Sequence, residues 1–298
     1  MSARDVMAGS DIFEQLFLAL PSVRAHHAPT DRVYRLLKQV ARREAEGLFS
    51  GLEPVPRSFK PFGELILPYH RMGLNDAFSS LNLFDLDELI LFSFYWINRH
   101  RYRRVLDIGA NVGLHAVLLS RCGYAVRAYE PDAEHVELLQ KHLLLNRCSD
   151  VEVFHMAVSN EAGVREFVRV LGNTLGSHLA GSKANPYGAL ERMPVQVEAI
   201  GSIIEWADLI KLDAEGHERD ILLTTQRAHW LTRDALVEVG TAENASSLYD
   251  HFGQIDVHLF AQKINWERVR RLADMPTNYH EGTLFVSRKS VMPWEATE

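Results

Sequence analysis

The chain has 298 residues, 47% hydrophobic and 24% charged, an ordinary globular composition that excludes disordered and fibrous classes. Lys and Arg number 32 against 39 Asp and Glu, a formal charge of −7, so nucleic acid is not expected as a partner. The two cysteines, Cys122 and Cys148, lie in apolar helical patterns at neither zinc-ligand nor disulfide spacing, and are expected as buried thiols in a reducing, cytoplasmic setting.

The opening MSARDVMAGSDIFEQ lacks the charged start, apolar core and cleavage site of a secretory leader, so export is not expected. From Asp11 to Leu20, apolar residues recur at helical spacing until Pro21. A second helix is expected from Asp31, with Val33, Leu36, Leu37, Val40 and Ala41 on one face. Residues 51–64, rich in Pro and Gly, read as a loop leading into a short strand at Leu65 to Leu67. Asp85 or Asp87 can cap a helix running to about Asn98 that is apolar nearly all round. Such a helix is buried or lies in an interface, which leaves a homodimer open. Its greasy stretch, Leu89 to Ile97, is far short of the ~20 residues that span a bilayer.

Residues 1–98 are thus read as an N-terminal helical extension and residues 99–298 as the main domain. In the latter, short apolar strands alternate with amphipathic helices: Arg104 to Ile108, Val126 to Tyr129, Val151 to Phe154, Leu209 to Leu212 and Ala235 to Val239. That rhythm argues a parallel sheet with crossover helices. A hairpin is expected where residues 159–163 separate a strand ending near Val158 from Val164 to Val170. Two late strands, Asp256 to Phe260 and Thr283 to Val286, complete the pattern.

Three elements carry chemistry. In the first, RVLDIGANVGLHAVLLS, Gly109 permits a sharp strand-to-helix turn, Gly113 allows close approach of helix and sheet, and the small Ala110 leaves room for a ligand. Asp107 can attract a cationic ligand, and Asn111 stands where a diphosphate site would place its middle glycine. That departure favours S-adenosyl-L-methionine, which has no phosphate, over a nicotinamide or flavin cofactor. In the second, Glu130 ends the next strand, where a carboxylate can accept both ribose hydroxyls. In the third, LIKLDAEGHERDIL, a strand ends in Asp213 and the turn gathers Glu215, His217 and Glu218. Asp213 and Glu215 are read as facing the cofactor crevice, His217 as reactive or structural, and Glu218 as a helix-start acid favoured by the dipole.

These three motifs, in this order, resemble the FkbM-type methyltransferases, whose hallmarks stand here as Asp107-Ile108-Gly109-Ala110-Asn111-Val112-Gly113, Glu130-Pro131 and Lys211-Leu212-Asp213-Ala214-Glu215-Gly216-His217-Glu218. The resemblance covers about Tyr102 to Arg288. It implies a Rossmann-like α/β fold of the class I methyltransferase kind, with a mostly parallel seven-stranded sheet whose last strand is antiparallel. It also implies an adenine contact from the backbone at Ala157, within Met156-Ala157-Val158-Ser159. A Gly-Ser element is matched by Leu175 to His178. Methyl transfer, usually to a hydroxyl of a small natural product, sugar or lipid-like acceptor, is the implied activity, with a small-molecule amine or amide as the alternative acceptor and a non-catalytic adenosylmethionine-binding protein as the alternative of another class. An aliphatic hydroxyl needs a base within hydrogen-bond reach, for which Asp213, Glu215, His217 and His178 are candidates. A divalent ion on Asp213, Glu215 or Glu238 is the alternative, although no metal is expected. The aromatic residues Phe13, Phe17, Phe49, Phe59, Phe62 and Phe78 would pack the extension on the main domain or close it as a lid.

Overall fold

The structure, a computed structural model, describes residues 12–51, 53–74, 79–183 and 188–295. The extension begins with α1 (residues 12–19), which passes into a 3-10 turn at Leu20–His26, followed by α2 (Arg32–Phe49), capped by Asp31. A small hairpin of β1 (Arg57–Phe59) and β2 (Gly63–Leu65) follows, and then α3 (Leu86–Ile97), whose first N–H is taken by the Asp85 carboxylate.

The face that α2 buries is Tyr34, Ala41, Ala45, Leu48 and Phe49, while Val33 and Leu36 remain exposed. The apolar stripe expected from spacing is therefore only partly the buried one. The rotation follows from Tyr34, whose hydroxyl donates to Asp87 Oδ2 on α3 at 2.5 Å and turns that face inward. Phe13, Phe17, Phe49, Phe59 and Phe62 are all buried in one apolar cluster with Phe92 of α3 and residues of the main sheet's flanking helix. Phe49 stacks on Phe84 with ring centres 4.2 Å apart. Phe78 lies outside the described residues.

From Arg104 onward the chain alternates as expected: β3 (Arg104–Ile108), α4 (Leu114–Arg121), β4 (Ala125–Tyr129), α5 (Ala133–Leu145) and β5 (Val151–Phe154). After an excursion come α6 (Ile200–Ile203), β10 (Leu209–Leu212), α7 (Glu218–Leu222), β11 (Asp234–Glu238), α8 (Ala242–Gln254), β12 (His258–Ala261), β13 (Glu267–Arg268) and β14 (Thr283–Ser287). The main sheet runs β13-β12-β14-β11-β10-β3-β4-β5. Strands β3, β4, β5, β10 and β11 are parallel, and the last strand, β14, is antiparallel to both its neighbours. This is the Rossmann-like seven-stranded arrangement, with the two-residue β13 added at one edge. Strand order reverses between β3 and β10, and the crevice outside their carboxyl ends is where an open α/β sheet takes its ligands.

The excursion forms a second sheet, of order β6-β9-β7-β8, from β6 (Ala157–Ser159), β7 (Gly163–Val170), β8 (His178–Leu179) and β9 (Leu190–Ala199). The expected hairpin across residues 159–163 does not form. Strand β9 lies between β6 and β7, parallel to the first and antiparallel to the second, so the turn joins strands that share a partner. Cys122 and Cys148 are buried free thiols, and no helix among the described residues is long and apolar enough to cross a membrane.

Candidate active site

The turn after β3 is held by its neighbours. Gly109 has φ +77°, and a Cβ there would lie 1.8 Å from the carbonyl oxygen of Asp213, so only glycine lets the turns after β3 and β10 touch. The buried Ala110 donates its N–H to Tyr129 O at 3.0 Å. Asn111 takes a left-handed φ of 53° and donates its N–H to Glu130 Oε2 at 2.8 Å, while its side chain accepts Val112 N–H at 2.7 Å. At Gly113, with φ +87°, a Cβ would come within 2.2 Å of the Leu139 side chain. The close approach there is to α5 rather than to the sheet.

Glu130 leaves β4 beneath this turn. Its Oε1 accepts Asp132 N–H at 2.9 Å, so both oxygens already hold backbone donors. Burial still pushes its carboxyl up to about 8, since those N–H groups compensate only part of the lost hydration. Glu130 and Asn111 line a cleft of about 590 Å³ that also takes in Ala157, Phe167, His178 and Asp213. One wall is the loop at Thr174–Gly176, and the extension reaches it: Thr174 N–H donates to Met72 O at 3.1 Å, and Leu74 N–H to Leu171 O at 2.8 Å.

The turn after β10 closes the cleft's other end. Lys211 is buried between carboxylates, its Nζ donating to Gly109 O at 2.9 Å and lying 3.5 Å from Asp213 Oδ2 and 3.6 Å from Asp107 Oδ1. Asp107 is fully buried, and neither of its oxygens has a hydrogen-bond partner among the described residues, nor does Asp213 Oδ1. Burial opposes the charge of Asp213, yet Lys211 holds it below the usual carboxylate range. Glu238, ending β11, is pushed well above that range by burial and by the Asp213 charge. Two neighbouring carboxyls driven apart in this way are suited to be base and acid.

The other candidates are more fully engaged. Glu215, at φ 52°, pairs with Lys183 Nζ at 2.5 Å, and burial with the Asp213 charge raises its carboxyl to about 7. His217 lines the cleft with its ring nitrogens against Ser159 Oγ at 2.7 Å and Ser182 Oγ at 3.1 Å, and burial lowers its pKa. His178 Nδ1 donates to Gly176 O at 3.0 Å. Glu218 Oε1 accepts the N–H groups of Ala214 at 2.8 Å and Gly216 at 3.1 Å, the architectural role read from its place at a helix start. Among the described residues, no group of three or more His, Cys, Asp or Glu is arranged to hold a metal ion.

Lys211 is the residue that sequence reasoning passed over. Its signal was only half readable: i and i+2 on a strand share a face, which puts Lys211 beside Asp213, whereas its place opposite Asp107 depends on the parallel register. The partners of His217 and Glu215, which come from β6 and from the loop after β8, left no such signal.

A family model described as the methyltransferase FkbM domain matches residues 107–261, more than half of the 298-residue chain. No curated protein matches. Three of the similar solved structures are methyltransferases. One is a precorrin-6y C5,15-methyltransferase from Geobacter metallireducens GS-15, at 7% identity over 64% of this chain and 82% of that one, TM-score 0.35. The second is an O-methyltransferase from Bacillus cereus in complex with SAH, at 11% identity over 65% and 78%, TM-score 0.35. The third, a methyltransferase from Geobacter sulfurreducens, has 15% identity over 66% and 76%, TM-score 0.36.

Proposed function

Since this chain belongs to the FkbM methyltransferase family, we propose that it uses S-adenosyl-L-methionine to methylate a hydroxyl oxygen of a small natural product, sugar or lipid-like acceptor. The residues present suit that cofactor. Glu130 keeps lone pairs beyond its two backbone donors for ribose hydroxyls, and Ala157 lies on the same cleft wall. Asp107 is buried with no hydrogen-bond partner among the described residues and only the Lys211 ammonium nearby, at 3.6 Å, so a cationic amino or sulfonium group would stabilise it further. A diphosphate would find the turn's amides spent, Ala110 N–H on Tyr129 O and Asn111 N–H on Glu130.

Bound there, the cofactor supplies an electrophilic methyl group on a sulfonium. Asp213 is the base: it lines the cleft and takes the acceptor's hydroxyl proton, while Lys211 keeps it charged beforehand. Glu215 and His217 orient the acceptor through the donors and hydroxyls they already hold. The loop at Thr174–Gly176, tied to the extension, excludes water.

The observation that carries this reading is one cleft lined both by Glu130, whose oxygens keep lone pairs beyond two backbone donors, and by Asp213, held charged by Lys211. Calorimetry with S-adenosylmethionine, S-adenosylhomocysteine and NAD on the wild type and Glu130→Ala tests the cofactor. Adenosyl-ligand binding lost in the variant supports it, and binding of NAD alone overturns it. Isotope-labelled methyl donor with panels of hydroxyl and amine acceptors then tests the chemistry. Label only on nitrogen would replace oxygen as the acceptor atom, and unchanged donor throughout would make this a binding protein.

A further inference from the structure

Lys211 is an expensive residue to bury, because a desolvated ammonium is tolerated only when paired and hydrogen-bonded. Its partners belong to two different turns: Gly109 O and Asp107 on the β3 side, Asp213 on its own. Of the other groups at this end of the cleft, Lys183 is paired with Glu215, and a ring nitrogen of His115 of α4 lies 2.9 Å from Glu88 of α3. Glu215 and Glu218 on the turn and Glu238 on β11 also act on Asp213. One ammonium thus serves two carboxyl groups from different turns.

We infer that Lys211 is a positioning residue that holds Asp213 ionised against the turn after β3 until the acceptor's proton arrives, so that the resting site carries a negative charge towards the cofactor's sulfonium. The inference rests on the cofactor reading above. Its consequence is discrimination by charge. S-adenosylmethionine and S-adenosylhomocysteine differ at the sulfur, a sulfonium in one and a neutral thioether in the other, so an anion near that atom favours the donor and lets the product go.

The test is the ratio of the two dissociation constants, measured by calorimetry from about pH 5.5 to about pH 9. Any titration of Glu130 acts on the shared ribose and cancels in the ratio. In the wild type the ratio is expected to be flat. In Asp213→Asn, donor binding is expected to weaken about tenfold with product binding unchanged at every pH. In Lys211→Met, Asp213 loses its counter-charge and protonates within the range, so the preference for donor should fade as pH drops. Lys211→Arg should restore the flat profile.

Equal weakening of both ligands in Asp213→Asn and Lys211→Met, with the ratio still flat, would mean a merely structural lysine and overturns the inference. Should Lys211→Met not fold, Asp213→Asn keeps the bond between Lys211 and Gly109 and decides alone. Failure of both ligands to bind the wild type is a different result, which overturns the cofactor reading and this inference with it.

Discussion

The turns after β3 and β10 are built by the same device and put to different uses. Each passes through a left-handed residue that is not glycine, Asn111 at φ 53° and Glu215 at φ 52°. Each is closed by a buried carboxylate: Glu130 takes Asn111 N–H from the neighbouring strand, and Glu218 takes Ala214 and Gly216 N–H from the following helix. Burial raises both carboxyls, to about 8 and about 7. They differ in what lies beyond the turn. Glu130 borders the open cleft, whereas the second oxygen of Glu218 ends on Asn244 Nδ2 at 3.4 Å. A carboxylate that satisfies turn amides becomes a binding group only when its remaining lone pairs meet space rather than protein.

The largest effect expected on this comparison comes from its glycines. Gly109→Ala would place a Cβ 1.8 Å from the Asp213 carbonyl oxygen, and a rigid main chain cannot yield as a side chain can. A loss of about 3 kcal/mol or more in urea unfolding is expected, with cofactor binding abolished. Gly216→Ala meets Ser182 O at 2.9 Å and should cost about 1–2 kcal/mol. Equal costs would show that the two turns are not in the unequal contact described.

Next come the carboxylates themselves: each holds two backbone N–H groups, so both alanine variants should lose stability, and only that of Glu130 should lose affinity as well. Glu130→Ala removes an acceptor for the ribose and is expected to weaken S-adenosylhomocysteine binding by about 10- to 100-fold, the worth of a charged hydrogen bond. Glu218→Ala strands the N–H groups of Ala214 and Gly216, and should cost about 2 kcal/mol of stability while leaving affinity within a factor of about three. Calorimetry and thermal melting of both variants check this, and crossed results would dissolve the distinction.

The same contrast explains what the sequence disclosed. The strands β3, β4, β10 and β11 were legible because each is a short apolar run ending in a charged or glycine-bearing turn, and Asp107, Glu130 and Asp213 follow from where such strands stop. Contacts between segments far apart in the chain were not legible. The insertion of β9 between β6 and β7 depends on pairing with a strand some thirty residues on, about which residues 159–163 carry no local information. His217 gave no hint of Ser159 and Ser182, nor Tyr34 of Asp87. Gly113 announced a close approach, yet spacing alone could not say that Leu139 was the neighbour.

The smallest effects are those of pH, which act on stability in the same sense at both carboxylates and on affinity at Glu130 alone. Both have folded values above the ordinary 4.5, so the stability each contributes is full below that value and is lost as pH rises through about 8 for Glu130 and about 7 for Glu218. Ribose hydroxyls donate to the ionised form of Glu130, so cofactor affinity should climb as pH rises towards about 8 and level off above it. Glu130→Gln should bind weakly with no such slope. At Glu218 no ligand recovers the cost of ionisation. Glu218→Gln, whose amide oxygen can still accept the two turn N–H groups, is therefore expected to melt about 3 °C or more above the wild type at alkaline pH and level with it at pH values below about 5. A Glu218→Gln melting curve that tracked the wild type at every pH would mean that this carboxyl is already ionised at neutrality, and that the two turns differ in electrostatics as well as in what they face.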